Sequence, residues 1–182
     1  MAMSKKLIAG IVAVVAVVIV VVLLLVTVLS YNSLVSKEQD VKNAWSNIKV
    51  QIQRQIDLIP QVLAQQNVSM IFEASLLANI TELRTQWLNT LANDSVQNVN
   101  VSSQLYTQMG TFLSVAENYP NPESLEVIRD ALTEIEGSQN RISTAQIIYN
   151  DAVNNYNTAV RSFPGNIVAG SFGFKEATYF QE

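Results

Sequence analysis

Leu7 to Leu29 is a run of 23 residues without a charged side chain, made mostly of Val, Ile, Leu and Ala. As a helix it spans about 34 Å, enough for the hydrocarbon core of a bilayer. In lipid the backbone must bond to itself, so a high valine content does not argue against a helix. The competing reading is a cleaved signal peptide, whose apolar core has only about 7–15 residues and ends at a small-x-small site. This run is longer, and Val26-Thr27-Val28 is a poor cleavage site. An uncleaved anchor is expected. Lys5 and Lys6 precede it and favour a cytoplasmic N-terminus. The chain therefore divides into a cytoplasmic head, 1–6, a transmembrane anchor, 7–29, and a part from residue 30 onward that lies outside the cytoplasm.

No Gly, Pro or strong turn signal follows the anchor before Tyr31 to Ala64, which carries the best helical stripe of the first half. Val41, Trp45, Ile48, Ile52, Ile56 and Ile59 are spaced three or four apart, so one helix face collects them. One helix is expected to rise out of the membrane and become the spine of a folded domain. Pro60 removes a backbone donor and crowds the carbonyl of Ile56, so a kink is expected there.

The remaining pattern is helical throughout, with no strand signal of any strength. Gln65 to Ser69 reads as a turn, Met70 to Leu91 as a second helix, and Asn93 to Asn100 as a polar loop. Leu105, Met109, Phe112 and Leu113 mark a third helix ending near Tyr119-Pro120. Asn121 and Pro122 suit the cap and first position of a fourth, with Glu123 and Glu126 at its positive end. Its later part is a heptad series, Ile142, Ala145, Tyr149, Ala152, Tyr156, Ala159 and Phe163, stopped by Pro164-Gly165. The fold class is thus all-α: a single N-terminal transmembrane helix continuing into an antiparallel bundle of about four helices. The bundle covers 30–163 and an aromatic, glycine-punctuated tail covers 164–182. With short turns neighbours run antiparallel, so Phe163 is expected at the anchor end.

Composition removes most chemistry. There is no Cys and no His, so the usual zinc sites and any His-assisted Ser or Cys nucleophile are excluded. Net charge is −4 and no Lys/Arg run exists, which argues against nucleic acid. Gly170-Ser171-Phe172-Gly173 lacks the Lys and following helix of a phosphate loop. The carboxylates are scattered. The chain is expected to be neither an enzyme nor a cofactor carrier.

Several blocks also carry a resemblance. Tyr31-Asn32-Ser33-Leu34-Val35 follows the apolar helix, then Val41-x-x-Ala44-Trp45-Ser46-x-Ile48-x-Val50-Gln51 and Arg54-x-x-Asp57-Leu58-Ile59-Pro60. Later come Ala116-Glu117-Asn118-Tyr119-Pro120, Glu136-x-x-x-Asn140-Arg141-Ile142 and Tyr149-Asn150-x-x-Val153-x-x-Tyr156-Asn157. Phe163-Pro164-Gly165-Asn166, Ala169-Gly170-x-Phe172-Gly173-Phe174 and Tyr179-Phe180 close the series. Together they resemble the LemA family over most of the chain. The family usually has paired basic residues where Gln53, Arg54 and Gln55 stand, and Asn where Gln61 stands. The resemblance implies a helical bundle outside a single membrane helix, no established catalytic activity, and a membrane-organising role.

Three groups of candidate residues follow. Asn67, Asn79, Asn93 and Asn100 each open an Asn-x-Ser/Thr sequon, so N-linked glycans are possible partners on an outward face. Phe172, Phe174, Tyr179 and Phe180, with Lys175 among them, suit a membrane or intersubunit contact. The alternative is that the tail folds back and covers its own core. Asp57, Arg141 and Asn150 are candidates for a structural polar network, because buried polar groups are usually paired. The function expected first is a single-pass cell-membrane protein with an extracellular bundle. Its partners are the lipid bilayer and copies of itself, and its role is structural or membrane-organising. The second reading is a receptor or accessory subunit that binds a protein or small ligand through the bundle.

Overall fold

A computed structural model describes residues 5–65, 68–90, 96–119, 125–126 and 128–180. Among the described residues it is all-helical: α1 Lys5–Leu63, α2 Val68–Ile71, α3 Ala74–Thr90, α4 Val96–Glu117, α5 Arg129–Arg161 and α6 Gly165–Phe172. The chain forms two compact units, Met1–Gln39 with Asn155–Glu176, and Asp40–Asn154 with Ala177–Glu182.

α1 is a single helix of 59 residues that contains the whole apolar run. Its apolar side chains between Ile11 and Leu29 are exposed apart from the half-buried Val26, as suits lipid-facing side chains. Within the run the Thr27 hydroxyl donates to the Leu23 carbonyl at 2.8 Å, so it does not stand unpaired among hydrocarbon. Pro60 falls in the last turn of α1, where few hydrogen bonds remain to be lost. The turn closes with the Ala64 amide on the Pro60 carbonyl, 3.1 Å.

In the first unit, Leu34 of α1 packs against Val168 and Ala169 of α6, with Ala159, Val160 and Phe174 around them. Phe163, Pro164 and Gly165 share a cleft of about 280 Å³ with Leu29, Ser30 and Ser33. The end of α5 therefore meets the end of the apolar run. Within the aromatic tail 164–182, α6 occupies eight residues. Gly165 permits the tight corner before α6, because a Cβ there would stand 2.2 Å from the Ala159 carbonyl oxygen. Gly173 ends α6 at φ 80°, and its amide donates to the Ala169 carbonyl at 2.9 Å. Tyr156 is buried, and burial together with the nearby Glu38 charge pushes its phenol up from the ordinary value of 10.0.

In the second unit, all six stripe residues from Val41 to Ile59 are buried, joined by Ala44, Gln55 and Val62. The Trp45 ring meets Tyr149 at 5.7 Å, and Gln55 donates to Gln139 at 2.8 Å. As α1 advances from 45 to 55, its neighbour on α5 falls from 149 to 139, so the two segments run in opposite directions. Trp87 of α3 is fully buried, edge-on to Trp45 at 6.3 Å, and its indole N–H donates to Gln53 at 3.3 Å.

Helix boundaries depart from the sequence pattern at three places. The span 70–91 is broken at Phe72-Glu73, because the buried Phe72 ring stacks on Phe112 at 4.1 Å rather than continuing the helix. The loop placed at Asn93 to Asn100 is helical from Val96, since Val99, Val101, Ser102 and Ser103 are buried and hold that turn against the core. The α-helical part of the fourth long helix begins only at Arg129, with Glu126 in a tighter 3₁₀ turn before it. Asn121, Pro122 and Glu123 lie outside the described residues. On α5 the buried face runs through Ile135, Ser138, Ile142, Gln146, Tyr149, Val153 and Tyr156. Ala145, Ala152 and Ala159 flank that face half-buried, and Phe163, past the helix end, is exposed.

Candidate functional site

An open cleft of about 790 Å³ lies in the second unit, between α3 and α4. Asn100, Gln104 and Gln108 line it from α4 at intervals of four, so they form one row on the helix surface. Asn79, Glu82 and Gln86 face them from α3, three and four apart. Ser103, Thr107, Thr178 and the single apolar residue Leu83 complete the lining. Some of these groups are already engaged. The Ser103 and Thr107 hydroxyls donate to the Val99 and Ser103 carbonyls at 3.0 Å, and Gln86 donates to Glu82 at 3.1 Å. The free carboxamides offer donors and acceptors in equal number. Among the described residues one carboxylate and no cation line the cleft. Such a surface suits a neutral polar partner.

A second arrangement secures the end of the chain. The Asn150 side-chain amide donates to the Phe180 carbonyl at 3.1 Å, and its oxygen accepts from the Phe180 amide at 2.9 Å. One carboxamide thus satisfies both backbone groups of one residue, as a neighbouring strand would. Next to it, the Tyr149 hydroxyl donates to the Thr178 carbonyl at 2.8 Å. The Phe180 ring is only 4% exposed and lies edge-on to Tyr106 at 6.3 Å. Tyr179 is more open, with its hydroxyl 3.4 Å from the Asn154 side-chain oxygen.

The third arrangement lies in the first unit. The Tyr31 ring, two residues past the apolar run, meets Phe172 at 5.0 Å and Phe174 at 5.6 Å, both edge-on. Beyond this trio Arg161 pairs with Glu176, the guanidinium Nε 2.8 Å from the carboxylate. That hydrogen bond, more than the Arg161 charge, holds the Glu176 carboxyl below its usual range against a smaller desolvation effect.

The candidates named from sequence thus separate. Phe172 and Phe174 join Tyr31 in the aromatic trio, whereas Phe180 is buried beside Tyr106. Asp57, Arg141 and Asn150 do not come together. Asp57 is exposed and accepts from Gln53 at 2.8 Å, Arg141 is exposed, and Asn150 holds the tail. The polar network that does form is a relay of carboxamides. Gln55 donates to Gln139, which donates in turn to the Tyr106 carbonyl at 2.8 Å and so links α1, α5 and α4. Asn79 and Asn100 are exposed on the cleft, on helices rather than on the loops where sequons are usually modified. Asn67 and Asn93 lie outside the described residues.

The LemA family profile matches residues 44–182. The chain belongs to the LemA family. Among curated relatives it is similar to Magnetosome protein MamQ 2 and MamQ 1 of Paramagnetospirillum magneticum, each 25% identical over 85% of this chain and 66% of the relative. MamQ of Magnetospirillum gryphiswaldense is 20% identical over the same shares. The matched stretch thus falls just short of two thirds of each relative's length.

The LemA blocks acquire physical roles here. Trp45, Tyr149, Val153 and Tyr156 fill core, Asn150 secures the tail, and Phe163-Pro164-Gly165 makes the corner before α6. Where LemA proteins usually carry a basic pair, Gln53 and Gln55 serve Trp87 and Gln139 by hydrogen bonding. Arg54 makes only a loose, half-exposed pair with Glu134 at 3.9 Å, a contact of little stabilising value.

Proposed function

We propose that this LemA protein is a non-enzymatic, self-associating helical protein of the cell membrane with a structural or membrane-organising role, its helical domain outside the cytoplasm. The observation that carries this reading is the continuity of α1, whose exposed apolar run passes without a break into the buried stripe of the domain. An exposed pair on α5, Ile147 and Ile148 at 64% and 56%, supports contact between copies. Lys5 and Lys6 support the orientation. The test is the mass of the detergent-extracted protein: a homo-oligomer that Ile147→Lys with Ile148→Lys dissociates is expected, and a monomer overturns self-association. Orientation is read from Ser143→Cys in this cysteine-free chain, expected to react with an impermeant maleimide on intact cells.

The second reading is a receptor or accessory subunit, favoured by the carboxamide-lined cleft between α3 and α4. N-linked glycans at Asn79 and Asn100 would stand on that same cleft and close it. Intact mass of native protein and of Asn79→Gln and Asn100→Gln variants decides whether they are present.

A further inference from the structure

From Ser162 to Phe174 the chain carries no charged residue, and the Arg161–Glu176 pair closes this segment at its two ends. α6 lies within it. One side of α6, Val168 and Ala169, is buried on Leu34. The rest of the segment leaves large apolar side chains open: Phe163 is 79% exposed, Ile167 61% and Phe172, despite its edge contact with Tyr31, 58%. Three side chains of that size left open so close together need a covering phase. Their position says which one. Phe163 and Pro164 share a cleft with Leu29 and Ser33, the last residue of the apolar run and the residue one turn beyond it. Tyr31, between those two, touches Phe172. A span of 23 residues is about 34 Å long against a hydrocarbon core of about 30 Å, so Leu29 stands at the bilayer edge. The exposed apolar side chains therefore stand at that edge as well, beside an aromatic cluster of the kind that marks membrane–water boundaries.

We propose that Phe163, Ile167 and Phe172 enter the edge of the same bilayer that Leu7–Leu29 spans, giving the first unit a second lipid contact at the α5–α6 corner. This rests on the membrane-anchored reading above and names the partner of that corner. The short α6 acts as an interfacial helix, with Val168 and Ala169 on protein, Ile167 on acyl chains, and Phe172 at its end beside Tyr31. The charged pair Arg161–Glu176 stays in water and limits the depth of entry.

The experiment uses the full chain in phosphatidylcholine vesicles, with one nitroxide label on each of the variants Val18→Cys, Asn155→Cys, Phe163→Cys and Ile167→Cys. Relaxation by oxygen, which favours lipid, is compared with relaxation by a water-soluble nickel complex. Labels at 163 and 167 are expected to show an oxygen-to-nickel ratio several-fold above that at Asn155, an exposed position of the same unit. Equal ratios at 155 and 167 overturn the proposal. Spin–spin broadening at 163 and 167 with no oxygen preference also overturns it, and assigns the face to a second copy of the chain. A water-like ratio at Val18 overturns the span itself, a failure distinct from that of the corner.

Discussion

Asn150→Ala is the most informative single change outside the membrane. It removes two hydrogen bonds to the backbone of Phe180, at 2.9 and 3.1 Å. Each is worth about 1 kcal/mol net, and the orphaned groups add a desolvation cost, so about 2–3 kcal/mol is expected. Phe180→Ala removes a buried ring at about 3–5 kcal/mol. These losses should not add. The tail after Gly173 is not helical and its docking is local, so it can detach while α1, α3, α4 and α5 stay folded. Ordering it costs about 1–2 kcal/mol per residue in backbone entropy alone, which leaves a small net docking energy. Once the tail is released, a second substitution within it has nothing further to remove. The double variant should therefore lose little more than Phe180→Ala alone. The assay is hydrogen exchange of the C-terminal peptide in the detergent-solubilised full chain. A loss of about 2 kcal/mol corresponds to roughly 30-fold faster exchange. Asn150→Asp keeps an acceptor for the Phe180 amide but sets a carboxylate against the Phe180 carbonyl, and should be no better than Ala. Unchanged tail exchange in Asn150→Ala would refute this reasoning, and full additivity would show that the tail is not a separate unit.

Four further outcomes are expected. Gly165→Ala drives a Cβ into the Ala159 carbonyl and should cost about 1–3 kcal/mol. Gly170→Ala, with open space at its Cβ and a helical backbone, should gain about 0.5–1 kcal/mol, and thermal unfolding should order the pair. Gln139→Leu leaves the buried Gln55 amide only its long 3.4 Å contact to the Ile135 carbonyl, and should cost about 1–3 kcal/mol in urea unfolding, partly restored by adding Gln55→Leu. The raised phenol of Tyr156 means that the folded chain keeps a proton which the unfolded chain loses. Stability is then undiminished below about pH 10 and falls as pH rises through the higher folded value. Tyr156→Phe should remove that part of the alkaline loss, as read by denaturation at a series of pH values.

The sequence was most legible where one short-range signal decided the outcome. An uncharged 23-residue run required only that a helix form, and a stripe at three- and four-residue spacing only that it bury one face; α1 does both. On α5 the strict seven-residue series misplaced the centre of the buried face. A straight helix drifts by about 20° per heptad. Burial therefore follows Ile142, Gln146, Tyr149, Val153 and Tyr156 at the 3.6 period, and the alanines fall to its side. The break at Phe72 has no local signal at all, because its cause is Phe112, forty residues away.

The sites were harder to read for a related reason. Asn150 acts on the backbone of Phe180, and a backbone partner leaves no mark in the identity of the residue it serves. Asp57 and Arg141 looked like members of a network because charge is conspicuous, yet both lie at the surface. The buried links are Gln55 and Gln139, uncharged residues whose long carboxamides reach across helices without the desolvation cost of an ion pair. The same property hid the α3–α4 cleft. Asn100, Gln104 and Gln108 make a row only once Asn100 is helical, and that depends on Val99 and Val101 finding core. In a chain this poor in charge, polar residues draw their roles from what the helices bring opposite them, so the helix pairing has to be known before the chemistry can be read.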